Sequence, residues 1–423
     1  MKVGDLVDAG HADIKTGPFG TQLRASDYVE AGRPVLNVRN VGLGDVRPKD
    51  LEYVDEQTAG RLSTHILRTN DIVFGRKGAV ERHAFISEQY DGAMQGSDCI
   101  RLRVFDGSPM PARFVTFALR TQQHQAWMKA FCSHGATMAS LNQEIVRQIP
   151  LPEIDSAHQE WAVSVLQNID DLIANNRQQV GILEETARTI YREWFVKFRY
   201  PGHEDIPLVD SALGAIPLGW TVQPLKNIAA VNKSSRKPNA DEVIRYLDIS
   251  ALSEREVSEL ESVAGTDAPG RARRELRPGD TVWATVRPNR RAHALLVGPG
   301  DDWIASTGLA VLTPTAVSSA FLFEAVSTTA FSDWLVGRAT GSAYPAVRAN
   351  DFEEAAVVVP AVAVDAAFAD QVAPMHELSW KLRAESSELA GIHDLLLPKL
   401  VTGQIDVSRF DLDASGGEGE SVA

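Results

Sequence analysis

Most features that would mark an enzyme, a membrane protein or a secreted protein are missing from this sequence. Only two cysteines, Cys99 and Cys132, occur in 423 residues. That excludes a disulfide framework and points to a reducing, cytoplasmic setting. No apolar run approaches the roughly 20 residues that span a bilayer, so no membrane is expected as a partner. The opening Met1-Lys2-Val3-Gly4-Asp5 lacks the apolar core of a signal peptide. There is no Gly-x-x-x-x-Gly-Lys-Ser/Thr phosphate loop, no Cys-x-x-Cys pair and no His pair at metal-ligand spacing. A Gly-x-Ser-x-Gly elbow and the Asn/Asp-Pro-Pro-aromatic motif of amino-methyltransferases are absent as well. The ten histidines are scattered and read as surface or structural residues. No catalytic residue, metal site or cofactor site is therefore expected in this chain.

An excess of positive charge is missing too. The net charge is -14, which at first argues against a polyanionic partner. Its distribution changes that view. Residues 361–423 hold 4 Lys+Arg against 11 Asp+Glu, and residues 156–214 hold 5 against 9. Residues 1–155, with 18 against 19, are close to neutral. A near-neutral domain with segregated charge can present a basic face. It binds DNA weakly alone, because phosphate neutralisation supplies most non-specific affinity, and a basic partner subunit could add to it.

What is present is a duplication. Asp71-Ile72-Val73-Phe74-Gly75-Arg76-Lys77-Gly78 has a partner in Gly279-Asp280-Thr281-Val282-Trp283-Ala284-Thr285-Val286-Arg287-Pro288. Each is a turn, a short apolar strand and a basic loop. Polar turns leading into strands follow in both, at Gln95–Leu102 and Ala305–Leu312. Next come Gly135-Ala136-Thr137-Met138 and Gly341-Ser342-Ala343-Tyr344, each before an apolar run that ends at Pro150 or Pro360. A period of roughly 200 residues is too long for a solenoid and fits a duplicated module. Within the first module, Pro34–Val38, Asp71–Phe74 and Ile100–Val104 read as strands, and Phe114–Lys129 reads as one helix.

A long helical pattern follows each module. Ala162, Leu166, Ile169, Ile173, Asn176, Val180, Leu183, Ala187, Ile190 and Trp194 make an unbroken a/d heptad seam. Met375, Leu378, Leu382, Glu385, Leu389, Ile392 and Leu396 make a second seam, which Pro398 and Gly403 are expected to end. Asn176 and Glu385 are the polar seam residues, the type that fixes register. Two such helices pair most simply antiparallel. The expected class is therefore α+β: two mixed α/β domains joined by two long helices in an antiparallel coiled coil, with pseudo-twofold internal repeat. The boundaries are 1–155 for the first domain, 156–197 for the central helix and 198–219 for a linker. The second domain takes 220–362, the C-terminal helix 363–405 and a disordered acidic tail 406–423.

The basic loops are the candidate binding residues. Arg76, Lys77 and Arg82 lie beyond the first apolar strand, and Arg287, Asn289, Arg290 and Arg291 occupy the matching region of the second module. Lys233 and Arg236 lie earlier in that module. Arg and Asn read base edges through paired hydrogen bonds, and Lys and Arg also hold phosphates. For any one of these residues a solvated surface charge is the simpler account; recurrence at the same place in both modules favours DNA.

In order, these segments resemble the specificity subunits of type I restriction-modification systems. Gly17-Pro18-Phe19-Gly20-Thr21-Gln22-Leu23 and Val35-Leu36-Asn37-Val38-Arg39-Asn40 are similar to the opening of a target recognition domain in that family. Ser140-Leu141-Asn142 and Gly341–Arg348 are similar to later parts. Tyr191–Val196 and Leu396–Gly403 resemble the family's helical regions. The resemblance implies that each domain reads one half of a split double-stranded DNA target. It adds Arg39, Asn40, Tyr344 and Arg348 to the candidate contacts. The helices, with a rod of roughly 40 Å at 1.5 Å per residue, are implied to set the unread spacer and to dock methyltransferase subunits. Restriction/translocase subunits would join that core. S-adenosylmethionine, ATP and Mg would belong to the partners, which would carry the adenine methyltransferase and site-specific deoxyribonuclease activities. The alternatives are a coiled-coil scaffold joining two protein-binding domains, and an enzyme whose active site follows no familiar motif.

Overall fold

The computed structural model describes residues 1–132, 139–341 and 344–405. Two compact units result, Met1–Asp171 with Leu389–Ala423, and Leu172–Glu388. Each contains one module and a stretch of both long helices.

In the first unit a five-stranded sheet has the spatial order Ala12–Thr16, Cys99–Val104, Ile72–Gly75, His83–Phe85, Leu43–Gly44. Only its last pair is parallel. A second sheet orders Tyr28–Val29, Glu52–Val54, Arg33–Leu36, Met94–Gln95, with the last pair parallel. The second unit repeats the plan. Its first sheet orders Ala229–Val231, Leu309–Pro314, Thr281–Ala284, His293–Leu295, all antiparallel. Its second orders Glu261–Ala264, Val243–Leu247, Trp303–Ser306, Ala272–Glu275, with Val243–Leu247 parallel to Trp303–Ser306. The first four strands of the first sheet are thus repeated in order and direction, while the second sheets share one parallel pair and differ in their edge strands.

The strands Ile72–Gly75 and Thr281–Ala284 are buried at every position, as short apolar runs covered on both faces should be. Phe74, Ile100 and Leu102 pack with Phe114, Phe117 and Leu166 in the first core. Trp283 packs with Phe321, Phe331 and Phe352 in the second. Each such side chain contributes about 1.5–3 kcal/mol by leaving water. The alternation in Ile100–Val104 does not put its arginines in solvent. Arg101 is 3% exposed and pairs with Asp13, and Arg103 pairs with Asp71, both at 2.7 Å.

The expected helix over Phe114–Lys129 is two helices, Ala112–Arg120 and Gln122–Cys132. Thr121 between them is extended, and its hydroxyl donates to the Ala118 carbonyl at 2.9 Å. The stretch expected as a linker carries a short hairpin, Leu208–Val209 with Ile216–Pro217, and Tyr200 stacks on Trp220.

The central helix spans Ser156–Tyr191 and the C-terminal helix Val362–Val401. Inside each unit their segments run antiparallel. In the first, His158 Nε2 donates to the Leu400 carbonyl at 2.7 Å and His393 faces Asp170 at 3.6 Å. In the second, Arg383 donates to Glu184 at 2.7 Å and Phe195 meets Phe368 edge to face. The central helix buries Ala162, Leu166, Ile169, Ile173, Asn176, Val180 and Ala187, with Leu183 and Ile190 partly buried, and Trp194 is buried in the π-helical turn that follows, Arg192–Val196.

The C-terminal seam is offset from the expected one. Leu378 is 43% and Ile392 47% exposed, so neither lies in the seam, whereas Leu382 is buried and Leu389 half-buried. The buried line is Val372, His376, Ser379, Leu382, His393, Leu397 and Leu400. Apolar residues occur on two faces of this helix, and the inner face includes polar residues because it meets buried charge. Pro398 does not end the helix. A proline in the last turn removes one backbone bond only. The end comes at Gly403, whose left-handed backbone lets Gln404 N donate to the Lys399 carbonyl at 2.8 Å.

Ion pairs fix each module to its helices, partly buried in the first unit and fully buried in the second. In the first unit Arg113 and Arg120 meet Asp170 at 3.3 and 2.7 Å. In the second, Arg255 pairs with Glu324 at 2.5 Å, and His376 Nε2 approaches the same carboxylate at 2.9 Å. Burial pushes the Glu324 carboxyl up, but the His376 hydrogen bond and the Arg255 charge outweigh it and hold it below its ordinary range.

Candidate nucleic-acid interface

In both modules the buried central strand runs out into an arginine at the surface. Beyond Ile72–Gly75, Arg76 N donates to the Asp98 carbonyl at 2.8 Å and Leu141 N to the Arg76 carbonyl at 2.8 Å. The Arg76 backbone is therefore held on both sides. Its guanidinium lies 4.7 Å from the centre of the Phe19 ring. Among the described residues no side chain or carbonyl accepts a hydrogen bond from it. Phe19, 53% exposed, sits on a tight turn in which Gln22 N donates to the Phe19 carbonyl at 3.0 Å. That turn is seated by Gly17. A Cβ there would lie 2.0 Å from the Gly96 carbonyl oxygen, so no larger residue fits.

The second module reaches the same result with other residues. Val347 N donates to the Thr285 carbonyl at 2.9 Å and Arg287 N to the Pro345 carbonyl at 2.7 Å. Arg287 holds a left-handed backbone, φ 54°, and so does Arg291. Non-glycine residues rarely adopt it, and such strain concentrates at functional turns. The Arg287 guanidinium lies 4.8 Å from the centre of the Tyr344 ring, and Tyr344 is 69% exposed. Arg287, Arg290 and Tyr344 line a cleft of about 370 Å³ with Ile249, Leu252 and Ala292 at its apolar wall.

The remaining candidates divide by their partners. Asn289, Arg290, Lys233 and Arg348 are exposed, and Arg82 is half-buried. No side-chain ion pair ties any of these five among the described residues. Arg39 pairs with Glu52 at 2.6 Å, Lys77 with Asp98 at 3.4 Å and Arg236 with Glu242 at 2.6 Å. Two candidates are structural. Asn40 is fully buried, and its amide donates to the carbonyls of Arg47 and Lys49 at 3.0 and 2.9 Å; it pins a loop and cannot reach a ligand. Arg291 donates to Thr329 Oγ1 at 3.0 Å and the Ser327 carbonyl at 2.7 Å, and pairs with Glu254 at 3.0 Å. It is consumed in holding its turn. Gly135–Met138, Ser342 and Ala343 lie outside the described residues, as does the 406–423 tail.

Two features were not picked out in the sequence. Phe19 is one; its signal was an aromatic flanked by Gly-Pro and Gly. The other is a buried histidine in the strand after each arginine. His83 and His293 are fully buried, and burial pushes both down to about 3, so both are neutral. His293 stacks on Trp283 at 4.6 Å, and its Nδ1 donates to the Arg291 carbonyl at 2.6 Å. Burial also pushes the Cys99 and Cys132 thiols up, to about 12 and about 11, so neither is a ready nucleophile. Among the described residues no group of three or more His, Cys, Asp or Glu could hold a metal ion. No helix there is long and apolar enough to cross a membrane.

Fold and turns together define a duplicated α+β protein with an arginine–ring pair in each module. No family model matches the chain. It is 22% identical over 304 residues to the type I restriction enzyme MjaIX specificity subunit of Methanocaldococcus jannaschii, covering 71% of this chain and 70% of that protein. Its fold matches the type I restriction-modification S subunit from M. genitalium with a TM-score of 0.59, 14% identity and 95% of each chain covered. The chain is thus similar in sequence to one type I specificity subunit and has the fold of another.

Proposed function

We propose that this chain is the DNA-specificity subunit of a type I restriction-modification complex. Each module reads one half of a bipartite double-stranded target. The carrying observation is that the central strand of each module leads into an arginine with no side-chain or carbonyl acceptor among the described residues, held against an exposed ring. An arginine fork with free donors suits a base edge or a phosphate. The long helices set the unread spacer. Their outward apolar residues, Leu172, Ile182, Leu378, Ile392 and Leu395, suit the docking of methyltransferase subunits. Restriction/translocase subunits complete the complex. Adenine methylation and DNA cleavage, with S-adenosylmethionine, ATP and Mg, belong to those partners, and this chain is non-catalytic.

The test is co-expression with the methyltransferase subunit, followed by genome-wide mapping of methylated adenines. A split motif with a fixed gap is the expected result. A stable complex that methylates no defined motif would defeat the proposal.

A further inference from the structure

The two arginine–ring pairs are assembled from unrelated pieces of chain. In the first module the ring precedes its arginine in sequence; in the second it follows. The rings differ, Phe19 and Tyr344, yet the guanidinium-to-ring distances are 4.7 and 4.8 Å. Arrival at one geometry by two routes marks it as a working part. Both rings are costly as mere surface, being apolar faces left 53% and 69% exposed. Each stands on fixed backbone. Gly17 N donates to the Cys99 carbonyl at 2.9 Å below Phe19, and Ala346 exchanges hydrogen bonds with Thr340 beside Tyr344. A ring so fixed sets the plane of a guanidinium laid on it, because the cation is drawn to the ring face. An arginine with its plane set, and no acceptor among the described residues to turn it, presents a two-pronged donor edge. In the DNA major groove the partner for that edge is guanine, through O6 and N7.

We infer that Phe19 and Tyr344 are positioning residues that hold Arg76 and Arg287 in the orientation for reading a guanine, so that each half of the target contains a G·C pair read in this way. This rests on the specificity-subunit reading. It goes further by assigning the base and the residues that aim the fork.

The experiment uses the complex co-expressed with its methyltransferase subunit, with methylated motifs mapped for the parent chain and for R76A, F19A, F19Y, R287A, Y344A and Y344F. Each half-site is an internal control for the other, because a misfolded chain loses both. The expected parent motif has a G·C pair in each half. R76A should lower discrimination at one such position roughly 5- to 150-fold, the worth of one paired base contact. F19A should relax the same position and no other, about two- to fivefold, as loss of an exposed cation–ring contact predicts. F19Y should retain the parent motif. Y344A and Y344F should behave likewise at the R287A position in the other half. If R76A relaxes a position that F19A leaves sharp, the positioning role is overturned while the specificity function stands. If both variants weaken every site equally, Arg76 is a phosphate contact and the inference fails. If the parent complex yields no split motif, the specificity reading falls as well.

Discussion

The Asn176 side-chain amide donates to the Glu385 carboxylate across 3.2 Å, one from each long helix. Asn176 is 5% exposed, so its polar group depends on that partner. Glu385→Ala should cost about 1–3 kcal/mol, the penalty of a buried donor left without an acceptor. Replacing both, Asn176→Val with Glu385→Leu, should recover or exceed the parent stability but remove the cue that fixes helix register. Denaturant unfolding measures the first effect and size-exclusion homogeneity the second. An unchanged midpoint for Glu385→Ala would show that water satisfies the amide.

Asn176 was legible in the sequence because it interrupts an apolar heptad, a local signal, whereas Glu385 is exposed and meets it from outside the buried line of the C-terminal helix. The repeated strand and basic turn were legible for the same reason, since turn residues and apolar runs act within a few positions. The face of the C-terminal helix was not. Counting apolar residues selects Leu378 and Ile392, yet His376, Ser379 and His393 face inward. They do so because of Glu324 and Asp170, distant in sequence and invisible to periodicity. Asn40 and Arg291 are tied into the protein by a similar mechanism. Residue type named them as donors, but carbonyls contributed by other loops had already claimed them.

Glu324 tests the weight of that hidden network. It is 1% exposed at its side chain and faces Arg255, itself 3% exposed. Glu324→Ala leaves the guanidinium buried with Glu184 at 3.6 Å as its remaining carboxylate partner. Removing one partner of a buried ion pair costs about 3–5 kcal/mol. The second unit should therefore unfold at a lower denaturant concentration. Asp170→Ala, at a site whose side chain is 23% exposed, should cost less. Near-equal losses would show that burial does not control the penalty.

The buried histidines set a pH dependence. His83 and His293 are pushed down to about 3 and His124 to about 4, all by burial. In the unfolded chain each titrates near 6.5. Below about pH 6.5 the unfolded chain therefore binds protons that the folded one does not, and stability falls as pH falls. The loss is about 1.4 kcal/mol per pH unit for each imidazole until its folded value is reached. Denaturant unfolding at pH 7.5 and 5.5 should show the drop. His293→Phe should flatten the slope by one imidazole's share. A slope unchanged by that substitution would assign the acid sensitivity to other groups.

Neighbouring arginines on one turn should separate binding from folding. Arg290 is exposed and lines the cleft with Arg287 and Tyr344. Arg291 is tied to Ser327, Thr329 and Glu254. Arg290→Ala should weaken DNA binding by the assembled complex. If Arg290 holds a phosphate, the slope of log affinity against log salt should fall in magnitude by about 0.9. Stability should be unchanged. Arg291→Ala strands the Ser327 carbonyl and should cost about 1–3 kcal/mol of stability, with the methylated motif preserved wherever the complex still forms. Anisotropy titrations at several salt concentrations, paired with thermal melts, distinguish the two. A sharpened or broadened motif in Arg291→Ala at parent stability would return that residue to the binding face. The hydrogen bonds that now hold it would then have to be surrendered when DNA arrives.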